Sequence, residues 1–229
     1  MKQRLLERIS PRQGERVLEL GCGRGEVLLA CARRGARAVG IDYSRAAARL
    51  SRDTCGKQAA VTQADVTALP LRGCSFDKVF LGDVLEHLTC AQAEHMMDEA
   101  HRVLRPGGSL VLHTSPNVLF IRLVFPWVLL GLVLTGRLRL LAMLVSQYRT
   151  IREFHVREYS RGRLARLLHH SRFGPPRVDC DPDLLRGGQS RYTESLAESP
   201  LVRRLASWAS HEPWVRLFSN DLWAEASKT

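Results

Sequence analysis

The sequence lacks the cysteine patterns that build metal centres and disulfide frameworks. It contains no Cys-x-x-Cys pair, and no group of histidines and cysteines has the spacing of a zinc site. The six cysteines are Cys22, Cys31, Cys55, Cys74, Cys90 and Cys180. Isolated thiols are typical of proteins in a reducing compartment. The pattern therefore predicts a cytoplasmic protein with no bound metal.

The sequence also lacks a clean apolar run of the length that crosses a bilayer, which is roughly 20 residues. Residues 1–8 begin an amphipathic helix and have no signal-peptide apolar core. Residues 118–135 are strongly apolar but are interrupted by Arg122, Pro126 and Gly131. We therefore expect neither a secretory leader nor a membrane-crossing helix.

Acidic side chains are few relative to basic ones. The chain of 229 residues has 34 lysines and arginines against 23 acidic residues, a net charge of +11. Such a balance favours an anionic partner, which composition leaves open between nucleic acid, anionic lipid and acidic substrates. The hydrophobic fraction of 45% is ordinary, and the length suits one sizeable domain.

The most informative feature present is the segment at residues 17–25, with the sequence VLELGCGRG. A short apolar run is followed by Gly21, Gly23 and Gly25, and an apolar helical stretch begins at Val27. Glycines at the carboxyl end of a strand allow backbone angles that a β-carbon forbids, and they let a ligand approach the main chain. The order of strand, glycine turn and helix predicts a nucleotide-binding α/β unit.

The spacing of these glycines excludes two common phosphate-binding loops. The dinucleotide fingerprint needs a third glycine three positions after the second. This chain has Glu26 there, a carboxylate that would repel a pyrophosphate. No Gly-Lys-Ser/Thr follows, so the loop is not a triphosphate P-loop. The segment instead favours a ligand without phosphates that carries an amino group, with Glu19 holding that group.

Two further acidic residues follow the next predicted strands. Asp42 comes after residues 37–41, about 20 positions beyond the glycine loop, where an acid accepts the ribose hydroxyls of an adenosine. Asp65 comes after the apolar residues 59–61, in position to contact an adenine amino group. Three acids at the ends of successive parallel strands share one edge of the sheet, which predicts an adenosine-containing ligand there.

At this point the sequence resembles the class I S-adenosylmethionine-dependent methyltransferases. The matching segments occur in order across residues 15–115, as VLELGCGRG, GID, QADV, FDKVFLGDVLEHL and RVLRPGGSL. The resemblance implies that Glu19 and the glycine loop bind the methionine part, Asp42 the ribose and Asp65 the adenine. The cofactor-binding set it implies is Glu19, Gly21, Cys22, Gly23, Gly25, Asp42, Tyr43, Asp65, Val66 and Asp83.

The residues and the resemblance together predict an α/β fold, a Rossmann-like, doubly wound and mostly parallel seven-stranded sheet. The expected strands are 16–20, 37–41, 59–63, 78–81, 109–113, 177–180 and 222–226, with the last antiparallel. The expected helices are 2–9, 25–34, 44–54, 91–104 and 161–171, with a partly helical stretch at 201–210. We expect residues 1–229 to form a single methyltransferase domain, with an apolar helical insertion at 116–150 after the fifth strand.

The resemblance implies methyl transfer from S-adenosylmethionine to a small or lipid-linked acceptor at oxygen or carbon. An oxygen nucleophile benefits from a base, and His87, just past the fourth strand, is the predicted catalytic residue. His113, His155 and Tyr159 are predicted to lie near the substrate. His87 has an alternative role as a residue that packs beside the cofactor.

The insertion leaves two readings of the partner. It is either a lid over the site or a hairpin that contacts an anionic membrane surface at the inner face, with arginines at headgroup level. A nucleic-acid methyltransferase is the alternative that fits the charge, but the Asn/Asp-Pro-Pro-Tyr/Phe signature is missing after the fourth strand. A non-catalytic, membrane-associated cofactor-binding protein is a second alternative. The sequence carries no signal for an oligomeric state.

Overall fold

A computed structural model describes residues 1–181 and 200–229. The strands are β1 (Arg16–Leu20), β2 (Arg37–Asp42), β3 (Ala59–Gln63), β4 (Phe76–Gly82), β5 (Leu104–Thr114), β6 (Arg177–Cys180) and β7 (Leu222–Ser227). The helices are α1 (Lys2–Ile9), α2 (Glu26–Arg33), α3 (Arg45–Cys55), α4 (Cys90–Val103), α5 (Phe125–Leu134), α6 (Leu138–Phe154), α7 (Arg161–His170), α8 (Pro200–Ala209) and α9 (Val215–Phe218).

The strands form one seven-stranded sheet in the order β3-β2-β1-β4-β5-β7-β6. The pairs from β3 to β5 are parallel, whereas β7 runs antiparallel to both β5 and β6. The sheet order reverses at β1, and the carboxyl ends of β1 and β4 therefore border the crevice in which such sheets bind ligands. The predicted mostly parallel, doubly wound fold and its antiparallel last strand are confirmed.

Alternation along the strands divides the core between the two faces of the sheet. Leu18 and Leu20 of β1 belong to a cluster that includes Met96 and Met97 of α4. Val17 belongs to a second cluster with residues of α1, α2 and α3. Successive strand residues point to opposite faces, which is why one strand serves both clusters. The helices are thus layered on both sides, and each layer is anchored by fully buried side chains.

Local sequence signals explain where several helices begin. Thr89 and Gln92 form a capping box at the start of α4, and the side chain of Ser44 accepts the Ala47 N–H at the start of α3. Ser160 caps α7 in the same way. These caps satisfy backbone donors that a first helical turn leaves free.

The largest boundary error concerns β5, which was predicted to begin at Ser109 and begins at Leu104. Leu104 pairs with Phe76 of β4, and the register then shifts before Lys78 pairs with Ser109. The Pro106-Gly107-Gly108 segment, with Gly107 at a φ of 76°, lies within this irregular start of the strand. As predicted, α4 ends shortly before this segment, at Val103. The segment itself lies within β5 and not before it.

The predicted insertion is a helical hairpin. A short π-helical turn at Phe120–Val124 leads into α5, and α6 continues to Phe154, beyond the expected end at residue 150. Leu132 is the one buried residue of α5, while Trp127 and Leu134 are 71% and 76% exposed. No helix in the described part of the chain has the length and apolarity needed to cross a bilayer. Most of residues 182–212 lie outside the described residues, apart from the part that contains α8.

Candidate active site

The glycine loop joins β1 to α2 at the crevice. Gly21, Gly23 and Gly25 all have positive φ values, of 71°, 49° and 74°. A β-carbon on Gly21 would lie 2.3 Å from a methyl carbon of Val84, and one on Gly25 would lie 2.5 Å from the Ser51 hydroxyl. A β-carbon on Gly23 would meet nothing within 4 Å. Two of the glycines therefore permit close packing, and the third borders open space where a ligand can approach the backbone.

Asp42 lies beside this loop at the end of β2. One of its carboxylate oxygens accepts the Gly23 N–H at 2.8 Å, and the other accepts the Ser44 N–H at 2.9 Å. An ionised carboxylate has about four lone-pair positions, so these two bonds leave two positions free. Asp42 is therefore oriented by the backbone and can still accept two hydroxyl groups.

Glu19 lies at the other side of the loop and is almost completely buried. Its Oε2 atom has no hydrogen-bond partner among the described residues. Burial raises the pKa of Glu19 well above its ordinary value, the negative charge of Asp42 raises it further, and the backbone N–H of Leu28 partly opposes both. A cationic amine from a ligand would satisfy the free oxygen and stabilise the ionised carboxylate.

The remaining predicted cofactor residues have mixed surroundings. Tyr43 is 75% exposed, and Val66 is buried in the core. Asp65 is exposed, and one of its oxygens accepts both donors of Thr67, which lower its pKa. The Cys22 thiol is buried, and burial raises its pKa to about 11, so it is neutral at physiological pH.

Just after β4, Asp83 belongs to a hydrogen-bonded series centred on the buried His113, which the sequence did not predict. His113 Nδ1 lies 2.8 Å from an Asp83 carboxylate oxygen, and its Nε2 lies 3.3 Å from Asp221. Burial alone would lower the pKa of His113, but the hydrogen bonds to Asp221 and Asp83 outweigh it and raise that pKa to about 9. The imidazolium therefore holds Asp83, which has a φ of 55°, in place.

His113, which is predicted to lie near the substrate, is almost fully buried in the structure. Its side chain is only 3% exposed, and both ring nitrogens already have carboxylate partners. His113 is the last residue but one of β5 and pairs in register with Trp223 of β7, whose ring centroid lies 4.4 Å from that of the imidazole. Its contact with Asp83 fixes the orientation of that carboxylate.

Glu86, like Asp221, is a residue of this site that the sequence analysis did not single out. It is 1% exposed, and its Oε2 accepts the Thr114 hydroxyl at 2.8 Å. Burial, with the negative charge of Asp83, raises the pKa of Glu86 to about 7. Its backbone carbonyl accepts the N–H groups of Val156 and Arg157, which ties the segment after α6 to this edge. The only sequence signal was its position next to His87.

His87 and His155 meet at the outer side of this edge. Their rings are perpendicular, with centroids 4.9 Å apart. His87 is exposed, and its Nδ1 lies 2.9 Å from the carbonyl oxygen of Phe154. Because a carbonyl can only accept, Nδ1 carries the proton, and in the neutral imidazole Nε2 then keeps its lone pair. The neutral form of His87 therefore has a proton acceptor at Nε2.

His155 is half-buried, and its Nδ1 has no hydrogen-bond partner within the described residues. Burial lowers the pKa of His155, and the neighbouring His87 lowers it further. Tyr159 is 3% exposed, and burial raises its pKa. The structure thus brings His155 to His87 and places the Tyr159 side chain in the core.

One group of metal-ligand type occurs at this edge. One ligand atom from each of Glu86, His87 and His155 lies within 4.8 Å of the others. Two histidines and one carboxylate are a donor set that can bind a divalent metal. The sequence predicted no metal, so the metal dependence of any activity has to be measured.

Known proteins resemble this chain mainly through the segment that forms the crevice. Residues 18–112 match the family described as methyltransferase domain. An uncharacterized methyltransferase of Synechocystis sp. is 35% identical over 118 residues, which is 50% of this chain and 55% of the relative. A demethylmenaquinone methyltransferase of Clavibacter sepedonicus is 33% identical over 118 residues, or 50% and 47% of the two chains.

The whole described fold also has solved counterparts. The methyltransferase in a complex with the Trm112 methyltransferase activator of Haloferax volcanii superposes with a TM-score of 0.69 at 17% identity, covering 99% of this chain and 88% of the other. The chain spans about half the length of the curated relatives it matches. The strand order and the glycine loop agree with the match of residues 18–112 to a methyltransferase domain, so this part of the chain resembles known methyltransferases in both sequence and fold.

Proposed function

We propose that the protein transfers a methyl group from S-adenosylmethionine to a small or lipid-linked acceptor, at oxygen or carbon. The observation that supports this most is the pairing of the glycine loop with Asp42 through the Gly23 N–H, at 2.8 Å. This bond and the one from the Ser44 N–H leave two acceptor positions on the carboxylate, the number that the vicinal ribose hydroxyls need.

The other residues at the crevice fit the same cofactor. The buried, unpartnered Oε2 of Glu19 suits the amino group of the methionine part. Open space over Gly23 lets that part approach the backbone. Tyr43, Asp65, Val66 and Asp83 remain predicted cofactor-binding residues, and the Asp83 carboxylate is held by His113. The cofactor supplies an activated methyl group on a sulfonium.

The protein's own contribution is to position an acceptor and to receive its proton. A sulfonium is already activated, so alignment of the nucleophile is the main requirement. His87 has its Nδ1 fixed by Phe154 and its Nε2 free, which suits a general base. The buried Glu86 lies beside it and, when ionised, would stabilise the imidazolium that forms.

A labelled-methyl transfer assay tests this function. Purified protein is incubated with labelled S-adenosylmethionine and, separately, small phenols, a membrane lipid extract and RNA. We expect transfer to the phenols or the lipid extract, and a loss of about 100-fold or more in turnover for His87→Ala with its acceptor. Full turnover in that variant would remove His87 from the chemistry. A parallel reaction with EDTA distinguishes a base from a metal ligand.

The hairpin favours an acceptor that is reached at a membrane surface. Its outer face carries the exposed Trp127, Leu130 and Leu134. Arg122, Arg137 and Arg139 of the same insertion are also exposed. Bulky apolar side chains that enter the headgroup region, flanked by arginines, bind anionic leaflets. We therefore place the protein in the cytoplasm, in peripheral contact with the inner face of a membrane.

Liposome co-sedimentation measures this contact. Wild type should pellet with anionic vesicles at low salt, and the change of Arg122, Arg137 and Arg139 to Gln should weaken binding by about 1 kcal/mol for each arginine. The matched control changes Arg45, Arg49 and Arg52 of α3, which are also exposed. Equal losses in both triple variants, or a wild type that stays in the supernatant, would leave the hairpin as a lid.

A further inference from the structure

A groove of about 620 Å³ lies between the two helices of the hairpin. Phe125, Pro126 and Leu129 of α5 form one wall, and Val145 and Tyr148 of α6 form the other. The rings of Phe125 and Tyr148 are 5.1 Å apart. This volume lies within the range of small-ligand sites, and its walls are mostly apolar, as such sites are.

The groove has a polar end. The residues that line this end belong to the last turns of α6, the helix whose end contacts His87. On α6 the lining changes from Val145 and Tyr148 to Arg149, Arg152 and Glu153. From Val145 to Glu153 a helix advances about 12 Å. The helix then ends at Phe154, whose carbonyl oxygen holds His87, and His155 follows. An elongated ligand in the groove would therefore have its polar end directed toward the two histidines.

We propose that this groove binds the apolar chain of the methyl acceptor and leaves the acceptor's polar head at His87 and His155. The occupant is a single apolar chain with an anionic or strongly polar head, because two arginines and one glutamate leave the polar end basic. This inference rests on the proposed methyltransferase function and adds the substrate class: amphiphiles whose chain, rather than the head alone, determines affinity.

Leu129 and Leu130 provide a matched pair of positions for the test. Leu129 is half-buried and lines the groove, whereas its neighbour Leu130 is exposed on the outer face. The same change, Leu→Trp, fills the groove at one position and adds an outward ring at the other. A second blocking variant, Val145→Trp, fills the groove from the opposite helix.

The probe is dansyl-undecanoic acid, a fluorescent chain with an anionic head, titrated without lipid or detergent. We expect saturable binding to wild type and Leu130→Trp, and an affinity lower by about tenfold or more in Leu129→Trp and Val145→Trp. Unlabelled octanoate, decanoate and dodecanoate should displace it with affinities that rise by up to about fourfold for each added methylene.

S-adenosylmethionine titrations of the same variants separate this proposal from the function on which it rests. Unchanged cofactor binding shows that the variants are folded and that only the groove was altered. Probe binding that is absent in wild type, or that Leu129→Trp and Leu130→Trp weaken alike, would overturn the groove assignment while the methyltransferase function stands. A wild-type dimer that Leu129→Trp dissociates, without probe binding, would assign the groove to a second copy.

Discussion

At the scale of single residues, Gly21 and Gly14 share a backbone conformation but differ in their surroundings. Their φ values are 71° and 81°. A β-carbon on Gly14 meets nothing within 4 Å, whereas one on Gly21 would overlap Val84. We expect Gly14→Ala to cost about 1 kcal/mol of unfolding free energy from backbone strain. Gly21→Ala should cost about 1–3 kcal/mol more because of overpacking.

Urea unfolding of both variants measures this difference. The addition of Val84→Ala to Gly21→Ala should recover most of the extra loss, because it removes the methyl group that the new β-carbon meets. The same Val84→Ala change with Gly14→Ala should recover nothing. Equal stabilities for the two single variants would show that Gly21 is required only for its backbone angle.

Several site residues could be placed from the sequence because they follow strands of a regular pattern. Glu19 lies one residue before the end of β1 and Asp42 ends β2, and the carboxyl ends of parallel strands lie at one edge of the sheet, so the sequence could predict that the two acids share that edge. Asp221 could not be placed, since its contact with His113 depends on β7 inserting beside β5. The burial of Glu86 could not be predicted from the sequence either, because burial of a charged residue depends on tertiary packing.

At the scale of elements, His113 connects three strands. It lies in β5 and pairs with Asp83, just after β4, and with Asp221, just before β7. Its pKa of about 9 in the folded protein lies above the ordinary value of 6.5. The folded state therefore binds more protons than the unfolded state between these values. The stability from this pairing is fully present below pH 6.5 and is lost as the pH rises through 9.

Unfolding free energy measured from pH 6 to 9.5 tests this pairing. The wild type should lose stability on the order of 3 kcal/mol from this group across the range. His113→Gln should flatten that part of the profile, whereas His169→Gln, an exposed histidine of α7, should leave it unchanged. A wild-type slope that survives in His113→Gln would assign the pH dependence to other groups.

Elements with strong local signals were predicted well, and those set by tertiary contacts were not. The lead-in helix α1 and strand β6 have the predicted bounds, and α3 begins directly after its cap Ser44. The early start of β5 depends on Leu104 pairing with Phe76, a contact that no local pattern encodes. Likewise, composition marked residues 118–135 as apolar but could not show that α5 would keep most of them exposed.

At the scale of the whole molecule, one sheet edge gathers most of the functional groups. The Gly23 N–H and Asp42 lie at the ends of β1 and β2, and Asp83 and His113 at the end of β4 and in β5. The hairpin follows β5 and returns to this edge through Phe154. A doubly wound sheet produces this convergence because the carboxyl ends of its parallel strands lie together.

The central claim is that S-adenosylmethionine binds at this edge through the glycine loop and Asp42, and isothermal calorimetry tests it most directly. The control for Asp42→Asn is Asp53→Asn, which removes the same charge from an exposed position on α3. We predict saturable binding to wild type and Asp53→Asn, and an affinity lower by about tenfold or more in Asp42→Asn, because hydrogen bonds to a charged acceptor are lost. No binding to wild type, or equal affinities in the two variants, would contradict the account.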